Sequence, residues 1–122
     1  MKKVVFDALG HSVEFYCESR NTRNGFAHDA SLFIDNDYIG KASCYYLDRT
    51  WEHWSFQSVC LNVTDIEITY REERLKDDYR MKNGLKRISK KADREAIASI
   101  ISSDETLALL MEIRAVLKSR VF

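Results

Sequence analysis

The sequence contains no proline and only four glycines among its 122 residues. Without proline, the chain has no residue that interrupts helices or central strands outright, so its breaks must come from short Gly and Asn turns. The small number of glycines disfavours a loop that cradles phosphate, and neither a phosphate loop nor a dinucleotide-binding fingerprint occurs. We therefore exclude nucleotide-hydrolysing enzymes of the common type and expect no cofactor.

Cysteines and long apolar runs are also scarce. The three cysteines, Cys17, Cys44 and Cys60, form no Cys-x-x-Cys pair and fit a reducing cytosol better than a disulfide framework. No apolar stretch approaches the length of a membrane span, and Asp7 interrupts the first apolar run too early for a signal peptide. The expectation is a cytoplasmic protein that has no membrane partner.

The few histidines do not indicate a metal site. His11, His28 and His53 are too far apart in sequence for the usual zinc spacing. A thiol enzyme would require Cys44 close to His28 or His53, but strand alternation places Cys44 among packed sheet residues. The prediction is a protein that is not an enzyme, and a thiol enzyme stays as a minor alternative.

The length and the 45% hydrophobic content indicate one folded domain, residues 1–122. Its first half, about residues 1–54, alternates apolar and polar side chains between turn signals at Asn24-Gly25 and at residues 34–40. The predicted strands cover residues 3–9, 12–19, 28–33 and 41–47. This pattern predicts a four-stranded antiparallel meander that buries one face.

The second half, about residues 55–122, changes to helical spacing. From Phe56 onward apolar residues recur every three or four positions, and Gly84 suits the end of that first helix. Residues 65–70 also alternate like a strand, so both interpretations of residues 64–70 stay open. Two shorter helices are expected at residues 92–101 and 103–118, the latter preceded by a capping box in which Ser102 is the N-cap. The predicted class is α+β, with three helices packing on one face of the sheet.

A local excess of positive charge lies at residues 79–94 in a chain of zero formal net charge. Its cations are Arg80, Lys82, Lys86, Arg87, Lys90, Lys91 and Arg94. We call these seven residues the basic corner, because a break at Gly84 would gather them between two helix ends. Cations at the end of a helix also stabilise its dipole, but Lys90 and Lys91 precede a helix, where cations are unfavourable. The alternatives are a solvated helix end and a phosphate-binding surface.

A second candidate surface combines acidic and aromatic residues in and after the strand turns. It comprises Asp29, Asp35, Asp37, Asp48, Trp51 and Glu52. The aromatic residues around Trp51 and Trp54 either attach the sheet to the first helix or form a contact surface. The carboxylates could occupy the nucleic-acid groove of a protein by imitating phosphates.

Two segments carry a resemblance to a known group of proteins. The group is that of small accessory proteins of phages and mobile elements of Gram-positive bacteria. The segments that resemble it are residues 21–59, which include Arg49-Thr50-Trp51-Glu52, and residues 79–91, which include Lys82-Asn83-Gly84-Leu85-Lys86-Arg87. The resemblance implies a setting that includes anti-CRISPR proteins, in which small cytoplasmic proteins bind host machinery. It implies no catalytic or binding residues.

Two functions follow as hypotheses. The first is a non-enzymatic inhibitor that binds a host defence protein or a protein–nucleic acid complex in the host cytoplasm. The second is a nucleic-acid-binding accessory module that contacts DNA or RNA through the basic corner. Salt-sensitive binding to bare nucleic acid would distinguish the second from the first.

Overall fold

The structure is a computed structural model that describes residues 1–47 and 55–120. Within these ranges four β-strands precede three α-helices. The elements are β1 (Lys2–Ala8), β2 (His11–Thr22), β3 (Gly25–Ile34), β4 (Asp37–Tyr46), α1 (Phe56–Lys82), α2 (Lys91–Ser103) and α3 (Glu105–Ser119). The predicted α+β class, with the sheet before the helices, is confirmed.

The strands form an antiparallel meander in the order β1-β2-β3-β4. Two of its hairpins have two-residue turns in which both residues adopt positive φ angles: Leu9 (48°) with Gly10 (81°), and Asp35 (50°) with Asn36 (68°). Such turns match the right-handed twist of the strands that they join. They fix the register, and therefore decide which side chains share a face of the sheet.

The hairpin between β2 and β3 turns one residue earlier than the Asn-Gly pair predicts. Thr22 pairs with Gly25, so Arg23 and Asn24 form the turn. Gly25 is required at the first position of β3 because a Cβ atom there would overlap the carbonyl oxygen of Tyr46. The glycine therefore serves a close backbone approach between β3 and β4 and not a positive φ angle.

The core lies between one face of the sheet, the inner face, and helices α1 and α3. Alternate residues of β1, β2 and β3 point into it, together with the buried stripes of the two helices. Its largest fully buried side chains are Phe15, Leu32, Ile113, Leu117, Val13, Val59, Val63, Thr64, Cys17 and Cys60. The opposite face of the sheet, the outer face, is on the side away from these helices.

Helix α1 is continuous over 27 residues and is therefore about 40 Å long. Ser55 caps its start by accepting a hydrogen bond from the backbone of Gln57, at 3.2 Å. At its end Gly84 adopts a φ of 64°, and the amide of Leu85 donates to the carbonyl of Arg80 at 2.9 Å. This is a Schellman arrangement, and it confirms the helix end that the sequence predicts at Gly84. Residues 64–70 lie within the helix, which settles the ambiguity against a strand.

The junction between α2 and α3 differs from the predicted capping box. Asp104, and not Ser102, is the N-cap of α3, and its carboxylate accepts a hydrogen bond from the amide of Leu107 at 3.0 Å. Ser102 lies within α2 and donates to the carbonyl of Ser99 at 3.0 Å. The reason is an additional partner: Arg71 of α1 makes two hydrogen bonds to the Asp104 carboxylate, at 2.8 and 3.0 Å.

Helix α2 packs against α1 and α3 and buries Ile97. The hydroxyl of Tyr79 near the end of α1 donates to the carboxylate of Asp93 at 2.7 Å, which joins the first turn of α2 to α1. Among the described residues, no helix is long and apolar enough to cross a membrane.

Candidate functional site

The basic corner extends from the end of α1, through the loop, to the start of α2. Arg80 and Lys82 lie in the last turn of α1, and Lys91 is the first residue of α2. Six of the seven cations are exposed to solvent: Lys82, Lys86, Arg87, Lys90, Lys91 and Arg94. The chain reversal at Gly84 thus places the cations around one loop, as the sequence predicts.

Most cations of the basic corner have no ion-pair partner within the described part of the chain. Arg80 pairs with Asp77 one turn earlier, and Lys91 pairs with Glu95 at 3.8 Å with both side chains highly exposed. The remaining five make no ion pair with a described residue. Asp93, the single acid within residues 79–94, accepts a hydrogen bond from Tyr79, and this hydrogen bond raises the pKa of the tyrosine. The corner therefore keeps a local positive charge.

The start of α2 belongs to the same corner. Lys90 is its N-cap residue and makes no side-chain hydrogen bond to the first amides of the helix. Serine, threonine, aspartate or asparagine at this position would satisfy one of these amides. Lysine instead brings a cation to the positive end of a helix, an arrangement that an anion would stabilise.

The described residues of the predicted acidic surface lie in two separate places. Asp29 lies on the outer face of the sheet, where it accepts hydrogen bonds from the Ser43 hydroxyl and from Arg20 at 2.8 Å. Burial opposes its ionisation, but these two hydrogen bonds, together with the positive charges of Arg20 and Lys41, outweigh that effect and keep the pKa of Asp29 below its usual value. Asp35 lies in the β3–β4 turn, about 20 Å further along the strand direction.

Asp35 serves the turn itself. Its carboxylate binds the His11 ring at 2.6 Å and accepts from the amide of Ser12 at 2.9 Å. These contacts lower the pKa of Asp35, the His11 hydrogen bond being the larger cause. Asp37, the first residue of β4, is exposed beside it. The other predicted members of this surface, Asp48, Trp51 and Glu52, lie outside the described residues, as do His53 and Trp54.

The outer face of the sheet carries a row of side chains that are not among the candidates predicted from the sequence. The register places Val5, Glu14, Phe33 and Tyr38 side by side across the four strands. The ring of Phe33 contacts the ring of Tyr16 at 5.2 Å between centroids and the ring of Tyr38 at 5.6 Å, both edge-on. Strand alternation was the signal that could have found them, because it places these residues opposite the core.

The outer face also carries charge in contact with its rings. Arg20 stacks over Tyr45 at 5.3 Å from the ring centroid while it binds Asp29. Lys3 lies 5.3 Å from the centre of the Tyr16 ring and 3.7 Å from the Glu14 carboxylate. The face thus twice combines one cation, one ring and one carboxylate.

A shallow groove of about 320 Å³ lies on this face. Ser31 is its smallest lining residue, Tyr16 and Phe33 contribute rings, and Glu18 and Asp29 contribute carboxylates. Glu18 and Asp29 are paired across β2 and β3. Unlike Asp29, Glu18 makes no ion pair with a described residue.

The proposed partners of a thiol enzyme, Cys44 and His28, are cross-strand neighbours on the inner face. His28 is 97% buried, its Nδ1 is hydrogen-bonded to the Ser19 hydroxyl at 2.7 Å, and its Nε2 has no partner among the described residues. Burial lowers the pKa of His28 and raises the pKa of Cys44. A nucleophilic cysteine needs the opposite shift, because the thiolate is the reactive form. Among the described residues, no group of three or more His, Cys, Asp or Glu could hold a metal ion.

Cys17 of β2 and Cys60 of α1 lie in the core with their sulfur atoms 3.5 Å apart. Both are free thiols. The hydrogen bond with Cys17 and burial raise the pKa of Cys60, so this thiol stays protonated. The pair contributes packing where the sheet meets α1, as expected for buried small hydrophobic residues.

Comparisons with known proteins give no relative from which a function could be transferred. No family model matches the chain, and neither the curated proteins nor the solved structures include a significant match.

Proposed function

We propose that this chain is a non-enzymatic binding protein of a phage or mobile element that docks on a host defence protein or nuclease complex in the host cytoplasm and inhibits it. The outer face of the sheet is the docking surface. The observation that carries this proposal is the aromatic row Tyr16, Phe33 and Tyr38 on the face away from the helices. The phage setting comes from the sequence resemblance alone.

The apolar content of the outer face supports a protein partner. Tyr38, Tyr45 and Val5 are 56%, 67% and 47% exposed. Tyrosine is enriched at the centres of protein interfaces because it covers a large area at small entropic cost. The ring contacts also hold Tyr16 and Phe33 in place before binding, which reduces the ordering cost of association.

The charge pattern supports a basic partner surface. Glu14, Glu18 and Asp29 lie on the two central strands with one cation, Arg20, whereas Lys3 and Lys41 lie on the edge strands. Negative charge at the centre of an interface is complementary to a protein surface that normally holds nucleic acid. Such a partner would be inhibited by simple occupation of its groove.

The local chemistry at Cys44 and His28 supports binding over catalysis. A thiol whose pKa is raised by burial and a buried histidine whose pKa is lowered are both held in their neutral forms. Turnover of a nucleotide, peptide or nucleic acid by the purified protein would contradict the proposal.

The direct test is affinity capture from host extract with three forms of the chain. The wild type should retain a stoichiometric partner, which mass spectrometry identifies. The purified partner should then bind nucleic acid, and this protein should compete with that binding. The double variant Tyr38→Ser and Tyr45→Ser should lose the partner. The variant Tyr70→Ser serves as the matched control, because Tyr70 is 64% exposed on α1. Equal retention by all three forms would reject the outer face.

A second candidate function is nucleic-acid binding through the basic corner. The specific observation in its favour is that Lys82, Lys86, Arg87, Lys90 and Arg94 make no ion pair with a described residue. Elsewhere cations such as Arg71 and Arg114 bind carboxylates at 2.8 Å. Unpaired cations around one loop fit a chain of phosphates.

A further inference from the structure

We propose that the groove over Ser31 on the outer face is a receptor for an arginine side chain of the partner protein. This inference rests on the proposed function and specifies its chemistry. The occupant is a protein segment that presents a guanidinium group to the rings of Tyr16 and Phe33 and to the carboxylate of Glu18.

The outer face itself supplies two examples of the required contact. Arg20 is held by the Tyr45 ring and the Asp29 carboxylate, and Lys3 is held near the Tyr16 ring by Glu14. The groove offers the same kinds of group. Its Tyr16 ring already has Lys3 at 5.3 Å, whereas the Phe33 ring makes no cation contact and Glu18 no ion pair with a described residue.

The shape of the groove allows a side chain of a partner to enter it. Ser31 is a small residue between two wider flanks, and the groove above it measures about 320 Å³. One flank is formed by the edge-on pair Tyr16 and Phe33, whose centroids are 5.2 Å apart. The other is formed by Glu18 and Asp29, which face each other across β2 and β3. A planar group can lie between them.

The two carboxylates have different roles. Asp29 already accepts hydrogen bonds from Ser43 and Arg20, so it contributes mainly negative potential. Glu18 is exposed and has no ion-pair partner among the described residues, so it can accept both hydrogen bonds of a guanidinium fork. The chemistry favours arginine over lysine, because only guanidinium both stacks flat on a ring and binds a carboxylate at two points.

The test uses short peptides in place of the unidentified partner. Uniformly labelled protein is titrated with the tripeptide amides acetyl-Gly-Arg-Gly, acetyl-Gly-Lys-Gly and acetyl-Gly-citrulline-Gly, and the amide signals are followed by NMR. The expected result is saturable shifts at Glu18, Asp29 and Ser31 that are strongest for arginine and absent for citrulline. Equal shifts with citrulline, or shifts elsewhere in the protein, would overturn the proposal.

Two variants and one control sharpen the result. Glu18→Gln should weaken arginine binding about fivefold, the upper range for an exposed ion pair. Ser31→Leu should abolish binding by filling the groove while it leaves every charge in place. Glu112→Gln on α3, another exposed carboxylate, should change nothing. Unchanged binding of the arginine peptide by Glu18→Gln would contradict the groove as the arginine site.

This experiment separates two kinds of failure. If arginine peptides do not bind but the Tyr38 and Tyr45 variant still loses the captured partner, the docking face stands and the arginine receptor is rejected. If arginine peptides bind and the partner is retained by that variant, the groove is a cation site and the outer face is not the inhibitory surface.

Discussion

The ring of Phe33 packs edge-on against the ring of Tyr16, with 5.2 Å between their centroids, on the face of the sheet opposite α1 and α3. The two residues are diagonal neighbours on the central strands, whereas Phe15 and Leu32, one position away on each strand, are fully buried in the core. The sheet is therefore aromatic on both sides, but only its inner side is covered by these helices. This asymmetry is the basis of the proposed docking surface.

The N-cap of α3 provides a stability test. Asp104→Ala removes the cap to Leu107 and both hydrogen bonds from Arg71, and it leaves a half-buried guanidinium unpaired. We expect a loss of about 2 kcal/mol in the free energy of unfolding. Ser102→Ala, the matched control, should change it by less than about 0.5 kcal/mol. Urea denaturation of both variants measures this, and equal losses would contradict the assignment of Asp104 as the cap.

The buried imidazole of His28 makes a prediction for acid stability. Burial lowers its pKa in the folded protein below the usual 6.5, so the unfolded chain binds the proton first as the pH falls. The free energy of unfolding should therefore decrease below pH 6.5, by at most about 1.4 kcal/mol per pH unit from this group. His28→Gln should remove that slope between pH 6.5 and 5. A slope that is identical in wild type and variant would show that His28 is not its source.

The three thiols should differ in reactivity. Cys17 and Cys60 are fully buried, whereas Cys44 is half-buried and touches Asn62. When native protein reacts with an aromatic disulfide reagent, Cys44 should react first and release one equivalent of the reagent's aromatic thiolate. This reaction should be slow, because burial raises the pKa of Cys44. Cys44→Ser should abolish that phase and leave the two protected thiols. Reaction of all three at one rate would contradict the packing of the core.

The sequence predicted the fold more completely than the site. Alternation and turn residues determined four strands, and the reversal at Gly84 was correctly assigned, because these features depend on neighbours in sequence. The cap at Asp104 was missed because its second partner, Arg71, lies 33 residues away. Local pattern cannot report a contact that only the packing of α1 against α3 creates.

The outer face was missed for a related reason. Tyr16, Phe33 and Tyr38 are unremarkable in sequence because they alternate with core residues on three different strands. Only the register places them in contact. Asp29 was selected for its charge alone, and its partners Arg20 and Ser43 come from the strands on either side.

The basic corner makes a prediction about salt. If it contacts about five phosphates, binding to DNA or RNA should weaken roughly 500-fold between 50 and 200 mM salt. Replacing Lys86, Arg87, Lys90 and Lys91 with Gln should lower the logarithmic salt slope by roughly 3.6 and weaken binding to all sequences alike. Labelled single- and double-stranded probes in a salt series measure this.

The control variant for that salt series replaces two exposed cations that lie outside the basic corner. Arg74→Gln and Lys118→Gln keep the seven cations of the basic corner intact and should reduce the slope far less. No binding by wild type at the lowest salt would reject the nucleic-acid function. Equal losses in both variant sets would assign binding to net charge and not to the corner.

The most direct measurement is the affinity of the captured and purified partner for three forms of this chain, by calorimetric titration. We expect Tyr38→Ser with Tyr45→Ser to weaken binding about tenfold or more, since truncated interface tyrosines commonly cost that much, whereas Tyr70→Ser should leave it unchanged. Unchanged affinity in the double variant, with the fold intact by circular dichroism, would contradict the outer face as the docking surface.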